Sequence, residues 1–562
     1  MFKLNWIEAL GDRNPQLLRE LKGRLKVRNV IFTVVTSLLG QFLLWVSFLM
    51  RMPHPTTDLT VYKGGFLKNN FYCTGSYVSS DNRSCLTNAT GELLVDWQRW
   101  SLDLFLALSV ISIFSLLLVG IYLIINNLAQ EERRGTLNFI RQSPRSPPNI
   151  LWGKMLGVPI LLYIAVLLAI PLHLGAGLAA HIPLIRILSF YGIVVASCGF
   201  FYSFSLLFGL ISSGLKGLQA FLGSGAVALL LLIGLYKGFS GNAVDGIKIF
   251  SPTVIGYLIS ATAIESRLQW FNLPVGMSLA GITSVAILNY SLWTYWIWQA
   301  IERRFASPSK TILSKIQSYW FVACFEIVAL GFAINSDRYY TGDGDSHHFR
   351  LGDNLMVLLA YNFVLFCGLI ITLTPQRQAL IDWARYRKQK PYSRNLLTFL
   401  LEDLLWEEKS PATVAIALNG IIAAIILLPW IILEMVMSDR LPILIALVFN
   451  LCLIVTCAAI AQLVTLMQKQ KSGLLLIGTI GAVILLPPII LFFSTVQIPA
   501  LWLFTIFASG SIQNVGVFSI FLALLGQLTI VTWCSMQINR QLKKAEVSNS
   551  IGLFAPPKAL LP

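Results

Sequence analysis

Apolar stretches of about twenty residues recur along the whole of this 562-residue chain, and no other feature limits its fold as tightly. A stretch of that length crosses the hydrocarbon of a bilayer as one helix, and in hydrocarbon only helices and closed barrels satisfy their own backbone. In the first half these stretches are Val30–Met50, Leu102–Asn126, Leu151–Leu178, Leu188–Ser212, Leu218–Tyr236 and Leu273–Trp298. In the second half they are Ser318–Asn335, Leu355–Leu373, Ala412–Met435, Leu441–Met467, Leu474–Ser494 and Val515–Ile538. Charged residues are only 12% of the chain and hydrophobic ones 56%, against about 25% charge in an ordinary soluble domain. The expectation is an all-α, polytopic helical membrane protein with about twelve transmembrane helices. Soluble enzymes, nucleic-acid binders and secreted disulfide scaffolds are excluded as readings of the whole. The first apolar run begins only at Val30 and has no small-residue cleavage site after it, so the first span is expected to be retained.

Charge then sets orientation. The 42 Lys and Arg against 26 Asp and Glu give +16, and about 30 of the 42 fall in segments on the same side as the two ends. Basic residues are held back in the cytoplasm during insertion, so both termini are expected there, in the plasma (inner) membrane of a bacterium. Residues 1–29 precede the first span, and within them Asn14 caps a helix that has Pro15 at its first position. Leu17, Leu21 and Leu25 recur four apart, while Arg19, Lys22, Lys26 and Arg28 can meet anionic headgroups at about 1 kcal/mol each. The expected element is an amphipathic helix lying in the interface.

Of eight cysteines, only Cys73 and Cys85 fall in the long outer loop 51–101. In an oxidising compartment such a pair can close a disulfide, two free thiols being the alternative. The loop also carries the acceptor triplets Asn82-Arg83-Ser84 and Asn88-Ala89-Thr90, which matter only in a eukaryotic secretory route. Inside the spans, Glu326 is the outstanding ionisable group, because a central charge costs about 2.5 to 3.5 kcal/mol on insertion scales. It is either a carboxylate on a substrate path or gate, or a buried acid that fixes packing. Gln41 is its approximate counterpart in the first half. Asp343-Gly344-Asp345-Ser346-His347-His348 offers cation ligands but reads better as a solvated turn, and no metal site is expected.

The most specific segment lies between the second and third stretches: Glu131-Glu132-Arg133-Arg134-Gly135-Thr136-Leu137, then Ser143-Pro144 and Pro147-Pro148, then Gly153-Lys154. A short helix there presents Leu137 and Ile140 on one side and charge on the other, and the prolines stop it and turn the chain back to the membrane. This segment resembles the coupling segment of type-2 ABC transporter permeases. The resemblance extends to the Asn-Pro and Arg-Glu-Leu pattern of the amphipathic helix and to Phe250-Ser251-Pro252-Thr253. It implies a six-span unit used in pairs, whose cytoplasmic coupling helix fits a cleft on a nucleotide-binding ATPase subunit. Carried over residue by residue, Glu131, Glu132, Arg133, Gly135, Thr136 and Leu137 become the ATPase contact.

The second half repeats the layout but not the letters: six stretches, a segment from Pro375 to Pro411 after the second of them, and Ser410-Pro411 before the third. The expected domains are therefore residues 1–29, a first permease half 30–300 and a divergent second half 301–562. One chain supplies both halves, or pairs with a second copy as a homodimer. A phosphate cradle needs glycines at fixed spacing before a Lys and then a Ser or Thr, and Gly153-Lys154-Met155 and Gly214-Leu215-Lys216 lack that pattern. The chain is thus expected to be no enzyme and to hold no cofactor, with ATP and Mg in a partner subunit, lipids as neighbours and no nucleic acid. An ion-coupled secondary transporter using Glu326, and a membrane enzyme or assembly factor using the outer loop, are the competing classes.

Overall fold

The computed structural model describes residues 13–53, 67–76, 83–86, 88, 93–212, 217–236, 239–254, 267–334, 344–387, 402–435, 437–467, 472–493, 499–510 and 512–554. Asp343 and positions 82, 89 and 90 of the acceptor triplets lie outside these, as do the side chains of 344–351. The fold is all-α. Among the described residues nine helices are long and apolar enough to cross a membrane. Two shorter apolar helices, Gln219–Leu235 and Gly478–Phe493, and the 28-residue helix Leu279–Ala306 stand at three further expected positions.

The chain divides into two compact units. The first comprises Met1–Ser240, Ile247–Leu268 and Val275–Glu302; the second comprises Gly241–Gly246, Gln269–Pro274 and Arg303–Pro562. The main break falls close to residue 300, but two short pieces of the first half pack with the second.

In the first unit, α1 (Pro15–Arg24) is capped by Asn14, whose Oδ1 accepts from Leu17 N at 2.9 Å. It leads into the span α2 (Val27–Leu49). The next span, α3, runs from Trp97 to Arg133 and is interrupted by one π turn at Ser115–Val119. Leu116 O accepts from the Gly120 amide within this turn, and the Tyr202 hydroxyl adds a second donor to it at 2.8 Å. Gly120 permits this approach, since a Cβ on it would sit 2.4 Å from that hydroxyl oxygen. The short α4 (Thr136–Arg141) precedes a third span built from three pieces, α5 (Pro147–Gly157), α6 (Ile160–Leu167) and α7 (Ile170–Ala179). Then come α8 (Leu184–Ile211), α9 (Gln219–Tyr236) and α10 (Leu279–Ala306). Tyr290 of α10 donates to Phe250 O at 3.0 Å, and Trp298 stacks on Trp152 with 4.9 Å between ring centroids.

The second unit contains α11 (Lys315–Ala333), α12 (Gly344–Leu373), α13 (Arg377–Arg387), α14 (Thr413–Glu434), α15 (Met437–Leu466), α16 (Ser472–Phe493) and α17 (Val517–Phe554). Its core joins Leu330 and Ala333 of α11, Leu355 and Leu358 of α12, Leu427 and Trp430 of α14 and Ile443 of α15. Ser314 and Gln317 form a capping box at the start of α11.

Described parts of the 51–101 segment pack onto the start of α3. Strands β1 (Leu67–Asn70) and β2 (Arg83–Cys85) pair antiparallel, and Cys73 and Cys85 are joined by a disulfide with Cα atoms 4.7 Å apart. Asp96 N bonds Tyr72 O at 2.9 Å, the Arg99 guanidinium lies 3.8 Å from the centre of the Phe71 ring, and the Tyr72 hydroxyl donates to Asp103. Burial, reinforced by that carboxylate, pushes the Tyr72 hydroxyl up to about 12, so it stays a donor at any physiological pH. Closing the loop between the two cysteines is worth about 3 kcal/mol to its order. Maleimide labelling of Cys73 and Cys85 is therefore expected only after reduction, together with increased proteolysis of the loop; labelling without reductant rejects the bond.

Candidate coupling site

The end of α3, the last turns of α5 and α1 meet around one ammonium group. Lys154 is fully buried, with Nζ 2.5 Å from Glu131 Oε2, 3.1 Å from Asn127 Oδ1 and 3.8 Å from Glu20 Oε1. Glu20 is also bonded by Gln16 Nε2 (3.1 Å) and Arg24 Nε (3.3 Å), and Arg19 lies 3.9 Å from Glu131 Oε1. Three cations thus face two carboxylates, with the outer cations at the surface and Lys154 inside. A lone buried ammonium is too costly to persist, so these carboxylates are a condition of its presence.

The sequence brings the three elements together by close backbone approach. A Cβ on Gly153 would lie 2.7 Å from Asn14 Oδ1 and 2.8 Å from Leu17 N, and one on Gly157 would lie 2.6 Å from Glu20 Cβ. Reciprocal amide bonds complete the seam: Asn14 Nδ2 donates to Asn149 O at 2.6 Å, and Asn149 Nδ2 to Arg13 O at 3.0 Å. The buried residues of α1 include Gln16, Glu20 and Leu21, so this helix is an ion-paired clamp on α5 as well as an interfacial element.

Arg134 ends α3, and Gly135 turns the chain in the left-handed region at φ 71°, where glycine carries no Cβ penalty. Thr136 Oγ1 donates to Glu131 O at 3.1 Å, tying α4 back to that end. Leu137 (2% exposed) and Ile140 (6%) point inward, while Phe139 is 78% exposed among exposed Arg133, Arg134 and Asn138. The six residues expected to touch an ATPase therefore divide. Glu131 and Leu137 are turned inward, the first held by Lys154 and the second by packing, and act as supports. Glu132, Arg133, Gly135 and Thr136 remain at least partly accessible. Sequence reasoning missed Phe139, although a lone aromatic between Asn138 and two inward residues was the available signal. It also left Lys154 without a role, although a lysine amid Ile150, Leu151 and Met155 asks for buried partners.

The second unit has a parallel arrangement at the start of α11. Lys315 is 2% exposed, with Nζ donating to Leu404 O (2.6 Å), Ser410 Oγ (2.5 Å) and Pro411 O (3.3 Å). Tyr319 donates to Leu405 O at 2.8 Å, Trp383 Nε1 to Asp403 Oδ2 at 2.8 Å, and Arg303 pairs with Glu408 at 2.7 Å. Trp406, in this bonded segment, is 51% exposed.

The two intramembrane candidates sit in different units and each bonds within its own. Gln41 Nε2 donates to Ser37 Oγ at 3.1 Å. Glu326 is fully buried and its Oε2 accepts from Asn362 Nδ2 at 3.3 Å, so α11 and α12 are stitched through it. A further buried chain links Ser109, His173 and Tyr191, with the histidine's Nε2 2.8 Å from Ser109 Oγ and its Nδ1 2.9 Å from the tyrosine hydroxyl. Among the described residues no group of three or more His, Cys, Asp or Glu could hold a metal ion.

Comparison with known protein families, with curated proteins and with solved structures finds no match.

The ion network makes a separable prediction. Lys154→Met removes the buried cation of the network and leaves Glu131 and Glu20 only their partners nearer the surface, Arg19 and Arg24, and is expected to cost about 3 to 5 kcal/mol, read as a lower Tm of the purified chain. Adding Glu20→Gln and Glu131→Gln to it is expected to recover most of that loss. Additive losses in the triple variant would show that the three groups do not form one unit.

Proposed function

We propose that this chain is the membrane permease of an ATP-driven ABC transporter, working as an exporter with a separate nucleotide-binding subunit. The observation that carries this reading is the build of α4. It is a short helix with an exposed aromatic tip, anchored by Leu137 and Ile140 and tied by Thr136 to the carbonyl of Glu131. Glu131 is in turn locked through Lys154 to the start of the next span and to α1. A docking knob mounted this way passes a push at Phe139 to two spans at once, which is the mechanical need of a permease driven by a partner's closure. The apolar tip among arginines fits a cleft with an apolar floor and an acidic rim.

The reading places both termini and α4 in the bacterial cytoplasm and counts twelve crossings, six in each half. The Trp406 segment of the second unit is the counterpart of α4, so one chain offers two knobs. ATP and Mg bind in the partner, and this chain's share of the work is to hold the knobs stiff and to shape the passage.

An ATPase is expected to co-purify with the tagged full chain from its native membrane. Phe139→Asp should lower that recovery about tenfold or more without changing Tm, while Phe139→Leu retains it. Undiminished recovery with Phe139→Asp, or no ATPase with the native chain, overturns the docking assignment. The side is tested separately: a cysteine placed by Asn138→Cys should react with an impermeant maleimide only in opened cells, and labelling of intact cells rejects the topology.

A further inference from the structure

Within the first unit, α2 stands away from its neighbours between two tethers. Near one end Trp100 Nε1 donates to Phe48 O at 3.0 Å; near the middle Ser37 Oγ donates to Ala165 O at 2.8 Å. The second tether follows from the broken third span. At the end of α6 the amide of Ala169 bonds Val166 O, so Ala165 O is released by the helix and captured by Ser37. Between α2, α3 and α6 lies an open cavity of about 800 Å³, within the range of small-molecule sites.

Its lining is chemically uniform in one respect: no Asp, Glu, Lys, Arg or His contributes. An ionised ligand would meet no counter-charge there, at the depth where a charge is most costly. The walls are largely aliphatic, yet Thr33, Thr36, Ser37, Gln41, Ser112 and Ser115 form a polar stripe. Hydroxyls in spans elsewhere in this chain bond back to the carbonyl four residues earlier, as Ser109, Ser203, Thr294, Thr456 and Thr529 do. Thr33, Thr36, Ser112 and Ser115 make no side-chain hydrogen bond among the described residues, so the stripe offers donors and acceptors to whatever fills the space. The π turn begins at Ser115, placing a deformable piece of α3 directly in this wall.

We propose that this groove is a binding site for an uncharged amphiphile, a molecule with an alkyl chain and a hydroxylated, non-ionised head. The chain lies along the aliphatic walls and the head exchanges hydrogen bonds with the stripe. That such a molecule is the cargo rests on the permease reading; that it binds does not, because binding needs neither ATP nor a partner.

Gly40 supplies a clean test, since it lines the groove and a Cβ added to it meets nothing within 4 Å. Gly225 also has open space around it but lies outside the lining and serves as control. The probe is a monoacylglycerol with a diazirine in its acyl chain, photolysed with the full-length chain in phosphatidylcholine nanodiscs. Saturable labelling of peptides from Val27–Leu49, Leu108–Val119 and Leu161–Ala169 is expected, reduced tenfold or more by Gly40→Phe and unchanged by Gly225→Phe, with Tm equal in all three. Labelling that does not saturate identifies bulk lipid and overturns the site. Equal labelling by lysophosphatidate carrying the same diazirine chain overturns the requirement for an uncharged head, and labelling untouched by Gly40→Phe overturns the location. A positive result beside a failed ATPase co-purification would keep the groove and discard the permease.

Discussion

The buried ammonium of Lys154 is the constraint around which the first unit is assembled. At the edge of a bilayer an ammonium without partners is expelled or neutralised, so its burial fixes Glu131, Glu20 and Asn127 within reach, and with them the ends of three elements. Gly153 and Gly157 are part of the same condition, because α1 can bring Glu20 to the lysine only if its backbone lies directly against α5. Ion pairs of this kind add little net stability over apolar packing, but an arrangement that is costly when broken permits few alternatives. What the network supplies is position. The knob α4 hangs from the residue that Lys154 holds.

The spans of the first unit are interrupted where a regular helix would be simplest, and at two of these interruptions a side chain from another element bonds the backbone. Tyr202 adds a second donor to the Leu116 carbonyl at the π turn, and Ser37 takes the Ala165 carbonyl at the break after α6. In hydrocarbon a released carbonyl without a donor costs several kcal/mol, so the break after α6 and its hydroxyl partner have to occur together. Both breaks border the same groove. Irregular helices with satisfied carbonyls exchange between hydrogen-bond registers more easily than regular ones, which suits the wall of the binding groove proposed above.

The sequence was most legible where the physics is local. Apolar length placed the spans, the Asn14-Pro15 pair placed the start of α1, and the spacing of Leu137 and Ile140 gave the inward face of α4. It was least legible where two distant residues decide the outcome. Nothing adjacent to Lys154 announces Glu20, which lies 134 positions away and reads alone as one more charge on an amphipathic helix. For the same reason the burial of Glu131 against Lys154 was not legible: its neighbours in the sequence are charged, and Lys154 lies 23 positions on. The breaks in the third span were hidden by composition, since Gly157, Pro159 and Pro171 lie in a stretch whose mean hydropathy is that of an ordinary span. Two helices joined through Glu326 and Asn362 likewise could not be paired from the letters alone.

The second unit bears on whether a coupling knob needs the Gly-Thr-Leu letters. There the buried cation is Lys315, at the start of a span, and its acceptors are two carbonyls and a hydroxyl in place of carboxylates. The result is mechanically similar, because the segment carrying Trp406 is tied through Leu404, Leu405 and Ser410 to α11, much as α4 is tied to α3 and α5. Carbonyl acceptors come from the backbone and place almost no demand on residue identity. A segment held in this way can lose its resemblance to the first and keep its stiffness. The divergence of the second half is therefore compatible with the coupling proposed above, since one buried lysine and one exposed aromatic are found in each unit.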